Sequence, residues 1–340
     1  MARVTIKDIA KRADVSTATV SYVINDSRYV SPALKTRVLE AIEELGYYPD
    51  DNARSLRSKR TSTIGLIVPD NSNPFFAEIA KGVEDAGFEA GYTVILCNSN
   101  AMLERELAYL EVLLSKRVDG MILFSTTTKL EQVDAIVRRG IPTAIFYREP
   151  GGLDVDTFIL DNLQAGYQAT SHLIELGHTE IACIRPLSLT NPSAQRVDGY
   201  KKALEDHGLM WREALMPQGN NLISGGEQAA WKLLESGQRF SAIFACNDAM
   251  AIGAMRALRE AGFRIPDDIS IVGIDDIILA AYSNPPLTTI ASPKQEAGRL
   301  AVEHLLERIN GIHEGGARNF ILETRLIIRE STAPYPHTEE

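Results

Sequence analysis

Two textures of apolar spacing divide the chain. Up to about residue 60, hydrophobic side chains recur at helical intervals in three short groups. Ile6, Ile9, Ala10 and Ala13 predict one amphipathic helix, opened by Thr5 as N-cap with Asp8 at the N3 position, a variant of the capping box. Asp14-Val15-Ser16 breaks it, and Ser16 caps a second helix whose buried side is Val20, Val23 and Ile24. Ser31-Pro32 opens a third, with Leu34, Val38, Ala41, Ile42 and Leu45 inward and Gly46 ending it. Two short helices joined by a tight turn that holds an apolar Val15 predict a helix-turn-helix.

After Thr61-Ser62-Thr63 the texture changes. Ile64-Gly65-Leu66-Ile67-Val68-Pro69 is a continuous apolar run ending in a turn, the pattern of a buried parallel strand. A helix follows over 75–90, a strand over 92–97, a helix over 104–115, a strand over 120–124, a helix over 130–139 and a strand over 143–146. A second set starts near Asp161: a helix to Leu176, strands over 181–184, 242–245 and 270–274, and helices over 193–207, 224–236 and 249–261. A last strand is expected near Phe320–Ile328. Alternating strand and helix means α/β architecture, with parallel sheets covered on both faces. The length fits two lobes, with ligands expected beyond the carboxyl ends of the strands. Gly65 lies inside the first strand and no GxGxxG follows it, which disfavours a dinucleotide fold.

Composition narrows the class. With 45% hydrophobic and 24% charged residues, the 340-residue chain is globular rather than disordered. No apolar run reaches the ~18 residues of a membrane span, and the N-terminus lacks a signal peptide's apolar stretch. Cys97, Cys183 and Cys246 are too few and too scattered for a disulfide framework or a CxxC metal site. A reduced, cytoplasmic protein is expected. Charge is uneven: 11 Lys/Arg face 8 Asp/Glu in the first 60 residues, against 24 and 37 beyond. A basic head on an acidic body suits a head that meets a polyanion. Its second helix turns Thr17, Ala18, Ser21 and Tyr22 outward, with Asn25 at its end. Small and hydrogen-bonding side chains near a helix N-terminus can approach base edges in the major groove. The same face also reads as a plain polar helix surface.

These residues carry a family resemblance. Thr5-Ile6-Lys7-Asp8-Ile9-Ala10, Val15-Ser16-Thr17-Ala18-Thr19-Val20-Ser21, Val23-Ile24-Asn25, Gly46-Tyr47-Tyr48-Pro49 and Asn52-Ala53-Arg54-Ser55-Leu56 resemble, in order and spacing, the headpiece of the lactose/galactose-repressor (LacI/GalR) family, its ribose- and purine-repressor branch in particular. The resemblance implies an all-α helix-turn-helix headpiece (1–49), a hinge helix or linker (50–60) and an α/β bilobed core like the periplasmic sugar-binding proteins (61–340). The core's N-lobe would comprise about 61–160 and 291–321, its C-lobe about 161–290 and 322–332. It further implies that Thr17, Ala18 and Tyr22 read bases, with Ser16, Thr19, Ser21 and Asn25 near phosphates and Arg28 on either. Thr5, Asn52, Ala53, Arg54 and Arg57 join the DNA-contacting set, and Leu56 becomes an apolar wedge in the minor groove, flanked by Arg54, Arg57, Lys59 and Arg60. A hinge segment of about two turns is too short to be stable alone and would fold on operator DNA.

In the core, Asp70, Asn71 and Asn73 stand at strand ends, as do Tyr147-Arg148, Arg185, Asn247-Asp248 and Asp275-Asp276. Amides, carboxylates, Arg and aromatics suit sugar hydroxyls and ring faces. By resemblance, Asn73, Phe75, Phe76, Arg148, Arg196, Asp248 and Asp275 are the effector contacts. Each also has a bland reading: Asn247-Asp248 can cap the next helix, and Asp275-Asp276 the next turn. Three departures bear on the ligand. Tyr147 stands where relatives usually carry Asp, which changes one polar effector contact; Asn221 stands where several place a stacking aromatic, which argues against a purine and leaves sugars open. Arg185, where relatives tend to have a small residue, favours an anionic sugar.

The six histidines show no metal-binding spacing and no Gly-x-Ser-x-Gly elbow occurs, so neither an enzyme nor a cofactor is expected. The expected partners are pseudo-palindromic operator DNA, a sugar-like effector and a second copy of the chain, with a protein corepressor as a further class. The tail Ser331-Thr332-Ala333-Pro334-Tyr335-Pro336 has no leucine heptads, so a dimer is expected rather than a tetramer. The alternative is a small-molecule sensor whose head binds a protein instead of DNA.

Overall fold

The computed structural model describes residues 4–47, 60–124, 130–146, 151–186, 193–313 and 315–335. It divides into two compact units, Met1–Thr61 and Ser62–Glu340.

In the first unit, α1 (Ile6–Ala13), α2 (Thr17–Asn25) and α3 (Pro32–Leu45) start and stop on local chemistry. The Asp8 carboxylate accepts from both the N–H and the hydroxyl of Thr5, at 2.8 and 2.7 Å, which holds its pKa below the usual value. Ser16 Oγ accepts from the Thr19 N–H at 3.0 Å, a cap of about 1 kcal/mol. Asp14 and Asp26 end α1 and α2 in left-handed conformation, and Gly46 ends α3. Ile9, Ala13, Val20, Val23, Val38 and Ala41 meet in one apolar cluster. Arg37 Nη2 reaches from α3 to the carbonyls of Ala13 and Asp14, at 2.5 and 3.0 Å, fixing the turn between the first two helices.

The second unit holds two sheets. The first comprises β1 (Thr63–Val68), β2 (Thr93–Asn98), β3 (Gly120–Phe124), β4 (Thr143–Phe146), β5 (Asp156–Leu160) and β10 (Asn319–Leu322). Its order is β10-β5-β4-β3-β1-β2, and every pair is parallel. The second comprises β6 (Ile181–Ile184), β7 (Ala242–Ala245), β8 (Ser270–Asp275), β9 (Thr288–Ala291) and β11 (Arg325–Ile327), in the order β11-β9-β8-β7-β6. Here β11 alone runs antiparallel.

Around the first sheet lie α4 (Pro74–Glu89), α5 (Leu103–Ser115), α6 (Leu130–Val137) and α12 (Lys294–Ile309). Around the second lie α7 (Asn162–Glu175), α8 (Ser193–Asp206), α9 (Ile223–Glu235), α10 (Asp248–Glu260) and the short α11 (Ile278–Tyr282). The chain leaves the first sheet after Leu160, returns after Ala291, and crosses again between Leu322 and Arg325. The stretch read as one last strand over Phe320–Ile328 is thus two strands in different sheets, parted at Glu323-Thr324. Strands β5 and β9 and helices α11 and α12 add to the elements expected from apolar spacing.

Helix packing is set by glycines. A Cβ on Gly82 of α4 would stand 2.1 Å from the Gln295 carbonyl oxygen of α12, and one on Gly166 of α7 would stand 2.1 Å from that of Arg196 on α8. Phe124, Phe146, Phe158 and Phe320 stack in a row across the first sheet, with successive centroids 4.6, 5.2 and 4.9 Å apart.

Candidate functional site

The headpiece presents a compact outer face. Thr17, Ala18, Asn25 and Arg28 are exposed and Tyr22 is half-buried, with the Arg28 guanidinium 5.3 Å from the Tyr22 ring centroid. Ser16 and Thr19 hydroxyls pair at 2.9 Å, and Asn25 Nδ2 donates to the Ser21 carbonyl at 2.7 Å. The first turn of α2 carries no acidic residue, so its N–H groups and positive dipole end face solvent without an internal anion. Small side chains there, an aromatic edge behind them and a guanidinium at the rim can read bases and hold a phosphate. Asn52, Ala53, Arg54, Leu56 and Arg57 lie outside the described residues, as does Arg148.

The second site forms where the carboxyl ends of the two sheets face each other. Asn73 caps α4 by accepting from the Phe75 N–H at 3.0 Å. Phe75 is buried in the first lobe's apolar cluster, and half-buried Phe76 packs edge-on to Phe75 and Phe124. A cavity of about 300 Å³ opens between the lobes, lined by Asp70, Ser72 and Asn73 on one side and Asn221, Ser224 and Leu279 on the other. Asn221 holds its place with φ +67°, and its carbonyl accepts from Asn247 Nδ2 at 3.0 Å.

Arg196 is the polar centre of the second lobe. Only 9% exposed, it donates from Nε to Asn162 Oδ1 at 2.8 Å, from Nη1 to the Cys246 carbonyl at 2.5 Å and from Nη2 to Asp275 Oδ1 at 3.1 Å. The second Asp275 carboxylate oxygen makes no hydrogen bond among the described residues. Burial pushes the Asp275 carboxyl up, against the pull of Arg196 and Lys294. An arginine fixed by three acceptors beside a carboxylate with one free oxygen is a rigid acceptor–donor pair for hydroxyl groups.

One residue read as an effector contact, Asp248, has both carboxylate oxygens engaged within the chain. Asp248 is 0% exposed: its Oδ1 accepts from the Thr289 hydroxyl at 2.5 Å and its Oδ2 from the Ile277 N–H at 2.9 Å. Burial, then the nearby Asp275, raise its pKa well above the carboxylate range. It braces the floor of the cleft, while Asn247 caps α10 by accepting from the Met250 N–H at 2.8 Å. Arg185 pairs through Nη2 with exposed Glu213 at 3.0 Å, while its buried Nε has no hydrogen bond among the described residues.

Sequence reading missed Asn162 and Lys294. The first looks like an ordinary helix-start residue, the second like a surface lysine. Lys294 is 6% exposed, and its Nζ donates to the carbonyls of Asp275 and Asp276 at 2.5 and 2.8 Å, with Glu78 Oε2 at 3.6 Å. A cation in the first turn of a helix, against the helix dipole, was the local signal available.

Among the described residues, no group of three or more His, Cys, Asp or Glu side chains is placed to hold a metal ion, and no helix is long and apolar enough to cross a membrane. Two sequence profiles match the chain. One, described as bacterial regulatory proteins of the lacI family, covers residues 5–50, and the other, described as periplasmic binding proteins and sugar binding domain of the LacI family, covers residues 61–330. The chain is 41% identical over 332 residues to the HTH-type transcriptional repressor PurR of Aliivibrio fischeri (strain MJ11), which spans 96% of this chain and 98% of the relative. It is 42% identical over 307 residues to the ribose operon repressor of Escherichia coli (strain K12), spanning 90% and 93%. The crystal structure of the lac repressor dimer bound to operator and the anti-inducer ONPF superimposes with TM-score 0.88 at 27% identity, over 98% of this chain and 100% of that one.

Proposed function

The chain belongs to the LacI family of bacterial regulatory proteins and is a DNA-binding transcription regulator, and we propose that it is a cytoplasmic, non-enzymatic repressor switched by a neutral sugar held between its two lobes. One observation carries the effector half of this reading: Arg196, pinned by Asn162, the Cys246 carbonyl and Asp275 at the strand ends, beside an Asp275 oxygen that still has room for a hydroxyl donor. The polar Asn221 on the cavity wall gives no flat stacking partner, and Arg185 is neutralised by Glu213. Both features favour an uncharged sugar over a purine or a sugar acid.

The headpiece supplies the DNA half, with Thr17, Ala18 and Tyr22 toward base edges and Ser16, Thr19, Ser21, Asn25 and Arg28 toward the backbone. Two copies reading a pseudo-palindrome follow from this, since a symmetric dimer matches a symmetric site. Exposed Ile278 and Tyr282 on α11 give the core apolar surface suited to such pairing. The effector shifts operator affinity only as far as it binds one lobe arrangement better than the other.

A melting-temperature screen of the purified chain against pentoses, hexoses, sugar acids, sugar phosphates, nucleosides and purine bases tests the ligand class, because a ligand of the folded state raises its stability. A neutral sugar is the expected hit, and a purine or an acidic sugar in its place overturns the reading. For DNA, retardation on a site selected from random pseudo-palindromes should weaken steeply with salt as phosphate counterions are reclaimed.

A further inference from the structure

The contacts of Lys294 join parts of the molecule that belong to different lobes. Lys294 begins α12, which packs on α4 and the first sheet, directly after the chain has crossed back from β9. Its Nζ ends on the carbonyls of Asp275 and Asp276, at the carboxyl end of β8 in the second sheet. Those two residues have φ values of +117° and +51°, a conformation L-residues adopt at a cost, and the ammonium group takes up the two carbonyls this backbone presents together. From the first lobe, Glu78 on α4 approaches the same ammonium, and its other carboxylate oxygen is buried without a hydrogen bond among the described residues. The next residue of the turn, Ile277, is buried within the first lobe's apolar cluster, while its N–H is held by Asp248 of the second. Arg329 fixes the Asp276 carboxylate at 2.6 Å. The turn Asp275–Ile277 is therefore gripped from both lobes, and the side chain of its first residue is the one that pairs with Arg196.

We propose that Lys294 is a positioning residue that couples the ligand-facing carboxylate of Asp275 to the angle between the two lobes. A ligand that moves the Asp275 side chain moves its carbonyl, which bears on Lys294 and through it on α12 and α4. The N-terminus of α4 lines the cavity with Asn73, so the same helix meets the ligand space and the tie. The identity of the group facing Asp275 rests on the effector reading above; the tie between the lobes does not.

The test uses the full-length chain with spin labels on Arg139→Cys and Glu235→Cys, exposed positions on the first and second lobes, diluted with unlabelled chain so that each measured pair lies within one protomer. The three native cysteines are buried. Pulsed dipolar spectroscopy should give one narrow distance for the parent chain and for Lys294→Arg. Lys294→Met, with native circular dichroism, should give a distribution broadened or displaced by several ångströms. Superimposable distributions for the parent and Lys294→Met overturn the proposal. Should Lys294→Met not fold, Glu78→Gln takes its place: it removes the first lobe's counter-charge and should broaden the distribution, and an unchanged one overturns the tie. With D-ribose as the probe sugar, binding to Lys294→Met should stay within about 2-fold of the parent while the sugar-induced change in operator affinity falls about 10-fold; an undiminished change overturns the coupling. Failure of the effector reading has its own signature, since Asp275→Asn would then leave every sugar-induced melting shift intact while the Lys294 distances still change.

Discussion

Arg28, just past the second helix of the headpiece, lays its guanidinium over the ring of Tyr22, 5.3 Å from the centroid. The contact contributes about 0.5–1 kcal/mol at an exposed site, enough to hold the cation at the rim of the face that carries Thr17 and Ala18. The two residues should divide the work. Arg28→Ala should weaken binding to every sequence and flatten the salt slope by about one phosphate contact. Tyr22→Ala should change the half-site consensus, at about 1–3 kcal/mol for the affected base pair. Binding measured over a salt series, with sites selected separately for each variant, decides; an altered consensus for Arg28→Ala at constant slope would reverse the assignment.

Gly166 connects helix packing to the ligand. Its missing Cβ leaves room for the Arg196 carbonyl, so Gly166→Ala must push α8 away and carry the Arg196 side chain with it. A loss of about 1–3 kcal/mol in stability is expected from overpacking, together with weaker sugar binding. Gly82→Ala, with an equally close clash against Gln295 in the other lobe, is the control: it should cost similar stability and leave Arg196 where it is. Unfolding curves and the sugar-induced melting shift for the two variants separate the effects.

The three headpiece helices were readable because their boundaries are local: Thr5 with Asp8, Ser16 with Thr19, and Ser31-Pro32 need no distant partner. The strand–helix alternation of the core was readable for a similar reason, since strands covered on both faces must be apolar throughout. What escaped depends on residues far away in sequence. Strand β5 opens with Asp156-Thr157, polar text that makes sense only beside Arg308, Arg318 and Asn319. Asp248 has the residue type of a sugar contact, and only Thr289 and the Ile277 N–H reveal it as a brace. The Arg185 pair with Glu213, 28 positions on, is likewise invisible to local spacing. Lys294 is the clearest case, a buried lysine whose acceptors are two backbone carbonyls that no side-chain pattern announces.

Asp156 is 1% exposed and receives Arg308 at 2.6 Å and Arg318 at 2.7 Å, which holds its carboxyl far below the usual carboxylate range in spite of burial. Asp156→Asn leaves Arg318 with Glu307 alone and Arg308 with the more distant Asp154 alone, at 2.5 and 3.8 Å, and should cost about 3 kcal/mol. The pH dependence has a definite sign. A carboxyl depressed in the folded state stabilises fully above its unfolded pKa of about 3.9, and the contribution is lost as pH falls from there toward the folded value. Urea unfolding should therefore show a constant gap between parent and Asp156→Asn from pH 7 down to about 4, narrowing only below it. A gap that closes near neutrality would assign the stabilisation to another group.

The tail is strapped to the second lobe by two buried histidines. His178 faces Ser241 Oγ at 2.9 Å and the Ala333 carbonyl at 3.1 Å, and His172 faces the Thr332 hydroxyl at 3.0 Å. Burial holds both rings below the ordinary imidazole value, so each takes up its proton at lower pH in the folded chain than in the unfolded one. As pH drops through about 6.5, the unfolded chain takes up protons that the folded chain refuses, and stability falls with it. The melting temperature should accordingly decline between pH 7.5 and 5.5, and amide exchange at Ala333 and Tyr335, whose N–H groups bond Ser270 Oγ and the Leu176 carbonyl, should quicken over the same interval. Replacing both histidines by glutamine keeps a donor and an acceptor at each position and removes the titration. The double variant should therefore melt with a flatter pH profile, and a slope equal to that of the parent would place the acid sensitivity outside the strap.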